Sequence, residues 1–277
     1  ITRRTLHQFR IVARKALNIH RGVGPPIVME PADDGLHLRI CSEEAAVDLL
    51  LPGDSQGERI CVPIQLRDDC QATTDEPVTL TLEDGNVVAQ WTDGSVPQLV
   101  QYDQPEPPDE FPAMPADMTD NQSELLQALA DACTVTDPEP TRYALSCVQL
   151  DGDHGRIAAS DGHQIFVQTG FTFPWEGGVL LPACKSFSCP HLPTDEPVTI
   201  GRTEDWLTMR VGPWTFHFRL NVDGRFPRVE ECLPRDSSAT TTLEIADSDA
   251  TFVLSNIKQL PASDDFNQPV TLDLNGE

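Results

Sequence analysis

The sequence lacks long apolar runs and the common catalytic motifs. No stretch of 18 apolar residues occurs in the 277 residues, which excludes a membrane-spanning helix. There is no Gly-rich phosphate loop, no G-x-S-x-G and no H-E-x-x-H. Asp161 with His163, and Glu231 with Cys232, are the remaining acid–base or nucleophile candidates, and no further catalytic group stands beside them in the sequence. We therefore expect a binding protein, with no catalytic residue and no cofactor.

The eight cysteines show no disulfide framework. A chain of this size folds without such cross-links, so the cysteines predict a reduced, cytoplasmic protein. Cys184, Cys189 and His191 are the closest approach to a metal-ligand set. Their spacing is irregular and no fourth ligand stands nearby, so we interpret them as core or loop residues rather than as a zinc site, and expect no metal.

Charge is distributed unevenly. The net charge is −25, which taken alone disfavours nucleic acid as a partner. Yet residues 1–29 contain no acid, and between Arg67 and Arg142 there is no basic residue. The bases of the first segment are Arg3, Arg4, Arg10, Arg14, Lys15 and Arg21. The one basic element is therefore the amino-terminal segment.

A repeat organises the chain. Residues 74–80 read TDEPVTL and residues 194–200 read TDEPVTI, a spacing of 120 residues (194 minus 74). Residues 267–272, NQPVTL, repeat the pattern more weakly. Each of the first two copies is followed by a second alternating run, NVVAQW at 86–91 and WLTMRV at 206–211, which predicts paired strands.

Each copy also begins with an amphipathic helix. The apolar spacing that predicts the two helices is Leu6, Phe9, Ala13, Ala16, Leu17 in the first and Leu125, Leu126, Leu129, Ala130, Cys133 in the second. Asn121 and Ser123 are candidate caps of the second helix. Strands follow at 27–30 and 36–41, and at 144–150 and 156–159. A strand ending in proline then leads to a short helix at 64–70 and at 183–188. We therefore predict an α+β fold.

The repeat predicts the division of the chain. The first domain is expected at 1–102 and the second at 121–236, separated by an acidic, proline-rich connector at 103–120. Residues 237–277 form a partial third copy, with a strand at 240–245, a helix at 250–260 and another strand at 270–274. Because a full copy takes 120 residues, we expect either that the gene product ends early or that this sequence is only part of it, and the closing residues 273–277, which resemble a hairpin turn without its return strand, favour the second.

Two motifs in the second copy resemble the bacterial sliding clamp, the beta subunit of DNA polymerase III. Residues 156–167, RIAASDGHQIFV, are similar to the family's strand followed by A-T-D-G-H-R-L. Residues 216–234, FHFRLNVDGRFPRVEECLP, are similar to its strand, D-G-R-F-P turn and following L-P. DEFP at 109–112 also resembles the connector between the family's first two domains.

The resemblance implies a homodimeric ring of clamp-fold repeats, with antiparallel sheets outside and paired helices facing double-stranded DNA. Such a ring does no chemistry and tethers the polymerase and other replication proteins. The residues expected to face DNA are Arg3, Arg4, His7, Arg10, Arg14, Lys15, Arg21 and Lys185. The second helix departs from this expectation, because residues 121–136 carry Glu124 and Asp131 and no base.

The resemblance also implies a cleft for short linear peptides of partner proteins. The positions that match it are Leu145, Ser160, Gly162, His163, Gln164, Ile165, Pro227, Glu231, Cys232 and Leu233. Gln164 and Glu231 stand where the family commonly has arginine, so an acidic end of a ligand loses its cation here. Asp161, Gly162 and His163 also fit a plain turn between strands. The alternative function is a clamp-fold scaffold that binds proteins without encircling DNA.

Overall fold

The computed structural model describes residues 1–19, 24–108, 110–140, 143–232 and 244–260. Residues 1–229 form one compact unit and residues 230–277 a second. The helices are α1 Arg3–Ala16, α2 Gln65–Cys70, α3 Glu124–Thr134 and α4 Asp247–Asn256. The strands are β1 Ile27–Ala32, β2 Gly35–Cys41, β3 Ala45–Pro52, β4 Ile60–Val62, β5 Thr79–Glu83, β6 Asn86–Asp93, β7 Val96–Asp103, β8 Met118–Asn121, β9 Cys147–Asp151, β10 Arg156–Ser160, β11 Ile165–Thr169, β12 Gly178–Pro182, β13 Val198–Arg202, β14 Trp206–Val211 and β15 Trp214–Arg219. All strand pairs are antiparallel, which confirms the predicted α+β class.

Helix α1 forms as its sequence predicts. The hydroxyl of Thr2 accepts a hydrogen bond from the Thr5 amide and so caps the helix at its amino terminus. Leu6 and Phe9 of the predicted apolar stripe are fully buried, and Val12 joins them. Leu17 is only half-buried, because the helix ends at Ala16.

Helix α3 buries the predicted Leu125, Leu126 and Leu129. Of the two predicted caps, Ser123 is confirmed at the N-cap position and Asn121, which belongs to β8, is wrong. Ser123 makes no side-chain cap hydrogen bond, and the Asn121 amide instead exchanges two hydrogen bonds with the backbone of Thr172. Asn121 therefore ties β8 to a loop of its own repeat rather than beginning the helix.

The described residues of the first unit form three sheets. Their strand orders are β4-β1-β2-β3-β15-β14-β13-β8, β11-β10-β9-β12 and β5-β6-β7. The eight-stranded sheet joins the two repeats, because β3 of the first pairs with β15 of the second, with Val47 opposite Phe216. Phe9 of α1 stacks on Trp214 of β15 at 6.3 Å between ring centroids. The core is therefore continuous across the junction.

The short helices of the two copies differ. The first is confirmed as α2, but residues 183–188 contain no helix and turn at 185–188, so the predicted second short helix is wrong. The Ser186 amide donates to the Cys184 thiol, and the Cys189 amide donates to the Ser186 carbonyl. These local bonds stabilise successive turns in place of a helical ladder.

The connector crosses the outer face of the eight-stranded sheet. The Phe111 ring lies edge-on to the His217 ring at 5.3 Å, and the Arg39 guanidinium lies 5.3 Å from the Phe111 centroid. A Cβ on Gly201 would meet the Asp117 carbonyl at 2.5 Å, so the backbone packs closely there. The predicted connector range was too long, because residues 118–121 form β8 and pair with β13.

Burial of His217 makes the stability of this unit depend on pH. Its side chain is 1% exposed, and desolvation lowers its pKa to about 4. Between the ordinary pKa of 6.5 and about 4 the unfolded chain binds a proton that the folded chain does not, so stability falls as pH falls through this window. His37 acts oppositely: although burial opposes it, hydrogen bonds to Asp34 and Asp48 raise its pKa, and that contribution is lost as pH rises.

We expect His217→Asn to flatten this acid dependence. Urea unfolding at about pH 7 and about pH 5 is expected to differ by about 2 kcal/mol more in the parent than in the variant, because about 1.5 pKa units separate 6.5 from 5. Thr208, whose hydroxyl contacts the His217 ring at 2.9 Å, retains a polar partner in the variant. If the parent and the variant lost equal stability between these two pH values, His217 would not be the source of the acid dependence.

The second unit contains α4 and the 3-10 turn Ile257–Gln259. The helix predicted at 250–260 is confirmed in part, since it begins earlier and its α-helical portion ends at Asn256. Residues 240–243 of one predicted strand and all of 270–274 lie outside the described residues. No helix among the described residues is long and apolar enough to cross a membrane.

Candidate nucleic-acid interface and peptide surface

Two of the predicted DNA-facing arginines are held by the protein itself. Arg3 is buried, donates from Nε to the Cys70 carbonyl at 3.0 Å, and pairs through Nη1 with Glu76 at 2.9 Å and Asp93 at 3.1 Å. Arg4 is exposed and pairs with Asp75 at 3.1 Å. Arg3 therefore anchors α1 to its own repeat, and we exclude it from the candidate interface because it is buried and pairs with two carboxylates of the chain.

Arg10 shares a carboxylate with a buried arginine. Its Nε donates to Asp68 Oδ1 at 2.7 Å, and the same oxygen lies 3.6 Å from Nε of Arg67. Arg67 is 1% exposed, and within the described residues its Nε and Nη1 atoms have no hydrogen-bond partner. Burial lowers the pKa of Arg67. Asp68 thus offsets two guanidinium charges, and Arg10 presents less positive charge than the sequence suggests.

The cations that remain available gather where α1 ends. Arg14 is exposed, and Lys15 donates from Nζ to the Ser188 carbonyl at 3.3 Å. The Cys184 thiol lies 3.6 Å from the Lys15 carbonyl and so holds the 183–188 turns against this end of the helix. Lys185, on those turns, is exposed. We name Arg14, Lys15 and Lys185 the cationic end; Lys15 and Lys185 border one cavity of about 510 Å³.

His7 and Arg21 are the other residues of the amino-terminal segment that were predicted to face DNA. His7 bonds Gln71 at 2.6 Å, and its ring lies 6.1 Å from that of His191 in the second repeat. Arg21 lies outside the described residues. No group of three or more potential metal ligands occurs within the described part of the chain. His7 therefore lies where the two repeats approach each other.

The face of α3 is acidic, as its sequence predicts. Glu124, Gln127 and Asp131 are exposed, and the Gln127 amide donates to Asp131 at 2.8 Å. The helix contains no basic residue, so no cation of its own offsets these carboxylates. The two long helices of the first unit therefore present opposite charge.

The predicted peptide positions meet around one turn. A Cβ on Gly162, which has φ +89°, would lie 4.0 Å from Cδ1 of Leu145. The Ser160 hydroxyl donates to the Gln164 carbonyl at 2.7 Å and accepts from the Gly162 amide at 3.0 Å. Hydrogen bonds from the amides of Gln164 and His163 lower the pKa of Asp161. Asp161 and Ser160 hold the turn between β10 and β11 and leave Gly162 and Ile165 exposed.

The remaining peptide positions lie further along the chain. Pro227 follows Phe226, which packs with Val229, Ala144 and Leu180 in a small apolar cluster. Glu231 and Cys232 are exposed and belong to the second unit. Leu233 lies outside the described residues. The structure therefore brings together Leu145 and the residues of the turn between β10 and β11, while Pro227 follows a separate apolar cluster.

Sequence reasoning missed Arg67 and Asp68, which decide how much charge Arg10 presents. The sequence offered one signal for them, because both residues lie in the segment 64–70, which is predicted to be a short helix. Their contact with α1 spans 58 residues and has no local signature. Sequence reasoning also missed Ser188, whose carbonyl holds Lys15.

Comparison with solved structures shows which known fold this chain shares. The DNA polymerase III subunit beta from Pseudomonas aeruginosa superposes with a TM-score of 0.66 at 21% identity, covering 86% of this chain and 68% of that one. The beta subunits from Thermotoga maritima (TM-score 0.64, 21% identity) and Streptococcus pyogenes (0.69, 16%) each cover 85% of this chain and 67% of theirs. No family model and no curated protein matches the sequence. The predicted resemblance to sliding clamps is confirmed in the fold.

Proposed function

Because the chain has the fold of bacterial sliding clamps, we propose that it is a DNA-encircling clamp that tethers replication proteins. The observation that carries the proposal is the cationic end. Lys15 from the first repeat and Lys185 from the second border one cavity, and the exposed Arg14 precedes Lys15 on α1, in a chain whose net charge is −25. A cluster of bases contributed by both repeats suits the phosphates of one duplex lying along the junction.

Direct binding to DNA is expected to be weak. Each neutralised phosphate contributes about −0.9 to the slope of log affinity against log salt concentration, so three cations give a slope of about −3. This salt dependence is much weaker than that of a protein held on DNA mainly by phosphate contacts. Retention at high salt would therefore have to come from a topological link.

We expect the chain to stay on circular DNA and to leave linear DNA at about 0.5 M salt, where exposed charges are screened. The measurement is co-elution of labelled protein with a nicked plasmid in gel filtration, with the same plasmid linearised beforehand as the matched control. Equal retention on the two forms, or none on either, would contradict encirclement.

We propose that partner proteins bind by short peptides at the surface formed by Leu145, Gly162 and Ile165. These positions combine an apolar wall with an ordered, solvent-facing turn. Gln164 supplies an amide and no positive charge, so a ligand with an acidic end gains nothing there. We expect Leu145→Asp to weaken the binding of apolar partner peptides and to leave retention on DNA unchanged, as fluorescence anisotropy and plasmid co-elution would show.

A second function, a protein-binding scaffold that does not encircle DNA, is favoured by the α3 face. Glu124 and Asp131 would repel a duplex that faced both long helices. The plasmid experiment separates the two functions, because a scaffold keeps its peptide partners and shows no preference for circular DNA.

A further inference from the structure

A cavity of about 660 Å³ is lined by the end of α3, by the loop after it and by the segment where β12 ends. Ala130, Cys133 and Pro138 belong to the first part of this lining, and Pro182 and Ala183 belong to the second. We name this space the α3 cavity. Its volume falls within the range of about 300–1,000 Å³ that sites for small molecules occupy in proteins.

Three hydroxyl groups of the lining are engaged by the backbone. Thr134 Oγ1 donates to the carbonyl three residues before it at 2.6 Å, and Thr136 Oγ1 does the same at 2.9 Å. The Ser188 hydroxyl also donates to the carbonyl three residues before it, at 3.2 Å. Because a hydroxyl group has one proton, none of the three can at the same time donate to a ligand. An anion in the α3 cavity therefore needs another donor.

Two thiols of the lining are neutral. Burial raises the pKa of Cys133 to about 12, and it also raises the pKa of Cys184. Both side chains therefore stay protonated at neutral pH and act as small apolar groups. Neither thiol carries a charge that would repel an anion.

Lys185 supplies the charge of the α3 cavity. It is exposed, and among the described residues its ammonium group makes no ion pair. A second cation is close, because Lys15 Nζ donates to the carbonyl of Ser188, which lines the same cavity. None of the described residues that line the cavity is acidic, although the net charge of the chain is −25. The cavity thus combines apolar walls with positive charge.

We propose that the α3 cavity binds a small amphiphilic monoanion, with its apolar tail among Ala130, Pro138 and Pro182 and its carboxylate at Lys185. One unpaired ammonium group in the lining suits a head group with one negative charge. The apolar walls and the engaged hydroxyl groups suit a tail without polar atoms. This site goes beyond the proposed function, because it takes a small molecule and does not require the chain to encircle DNA.

Tail and head group make separate contributions that can be measured. Each methylene group that leaves water strengthens binding by about fourfold, so octanoate should bind up to about fifteenfold more weakly than decanoate. The head group is held by a charge-assisted hydrogen bond from Lys185, and reversing its charge should abolish that bond. A ligand held by charge alone would show no dependence on tail length.

Isothermal titration calorimetry of the full chain with decanoate, kept below its micelle concentration, measures the binding. We expect a dissociation constant on the order of 0.1 mM, as suits a ligand with so few atoms. Decylammonium has the same tail and the opposite charge, and it should bind at least about tenfold more weakly. The titrations contain no DNA, so their outcome is independent of the proposed function.

Two variants test the two halves of the site. Lys185→Gln should weaken decanoate binding by about tenfold, because the charge of the donor is lost. Ala183→Trp should weaken it at least as much, since the larger side chain fills part of the cavity. Ala183 is exposed, so this change disturbs no buried packing. The matched control is Arg202→Gln, which removes an exposed cation of the same repeat outside the cavity and should bind decanoate like the parent.

Alkylation by iodoacetamide locates the ligand. Saturating decanoate should slow the labelling of Cys133 and Cys184 by at least about threefold, because access limits the reaction of a thiol. Cys232 is exposed and does not line the cavity, so its labelling rate should stay the same. Peptide mass spectrometry resolves the three sites.

Each measurement has an outcome that would overturn the proposal. Equal affinities for decanoate and decylammonium would show that the tail adsorbs on apolar surface only. An unchanged affinity in Lys185→Gln or in Ala183→Trp would show that the ligand lies elsewhere, as would labelling of Cys133 and Cys184 that decanoate does not slow. Circular dichroism of each variant confirms that it is folded.

Discussion

Replacing Arg14 and Lys185 together with glutamate is expected to reduce the affinity for a short linear duplex by at least about tenfold and to lower the salt slope from about −3 to about −1. The reason is geometric. These two residues and Lys15 are the cations at the junction that the described contacts leave available, whereas Arg3, Arg4 and Arg10 pair with carboxylates of the chain. Fluorescence anisotropy over a series of salt concentrations measures both quantities.

The matched control is Arg4→Glu. Arg4 lies on the same helix as Arg14 and is also exposed to solvent, but it pairs with Asp75 near the other end of α1. We expect it to change the affinity by less than about twofold, because a reversed charge there removes no phosphate contact. If Arg4→Glu weakened binding as much as the double variant, DNA would contact the whole helix and the cationic end would have no special role.

The largest effect on stability is expected from Phe216→Ala, which should lower the free energy of unfolding by about 3–5 kcal/mol. Phe216 is fully buried, lies opposite Val47 across the junction, and stacks with Phe218 at 5.8 Å. Since the eight-stranded sheet joins both repeats, we expect the whole first unit to unfold in a single urea transition. The loss of stability should shift that transition to lower urea concentration.

Phe252→Ala is the control for this measurement. Phe252 is 62% exposed on α4 of the second unit, so its removal should change stability by less than about 0.5 kcal/mol. Two separate transitions in the Phe216 variant, with only one of them shifted, would show that the repeats fold independently and that the junction adds little.

Local periodicity predicted most elements but not the strands at the junction. Apolar spacing located α1 and α3, and the two TDEPVT segments located β5 and β13. Strand β3 was missed because its sequence, AAVDLLLP, does not alternate. The connector covers the outer face of the sheet at this point, so Ala46 is buried there while Val47 is buried on the other face. A strand buried on both faces loses the two-residue period that identifies strands.

The candidate interface was predicted by position along one helix and corrected by contacts distant in sequence. Helical spacing placed Arg3, Arg10 and Arg14 near one another, but it cannot show which of them meets a carboxylate. Glu76 and Asp93 come from 73 and 90 residues away and hold Arg3. Lys185 lies near the end of α1 because the neighbouring Cys184 thiol contacts the Lys15 carbonyl, and not because of the short helix that the sequence predicts there.

The central claim, that the chain encircles DNA, is tested most directly by cutting the circle beneath it. Protein is bound to a plasmid at about 0.5 M salt, where screening suppresses phosphate contacts, and the plasmid is then cut once, with its ends either open or blocked by a bulky protein. Encirclement predicts that protein leaves the open linear DNA within minutes and stays on the blocked DNA. Equal loss from both, or persistence on both, would contradict encirclement and leave the clamp-fold scaffold as the function.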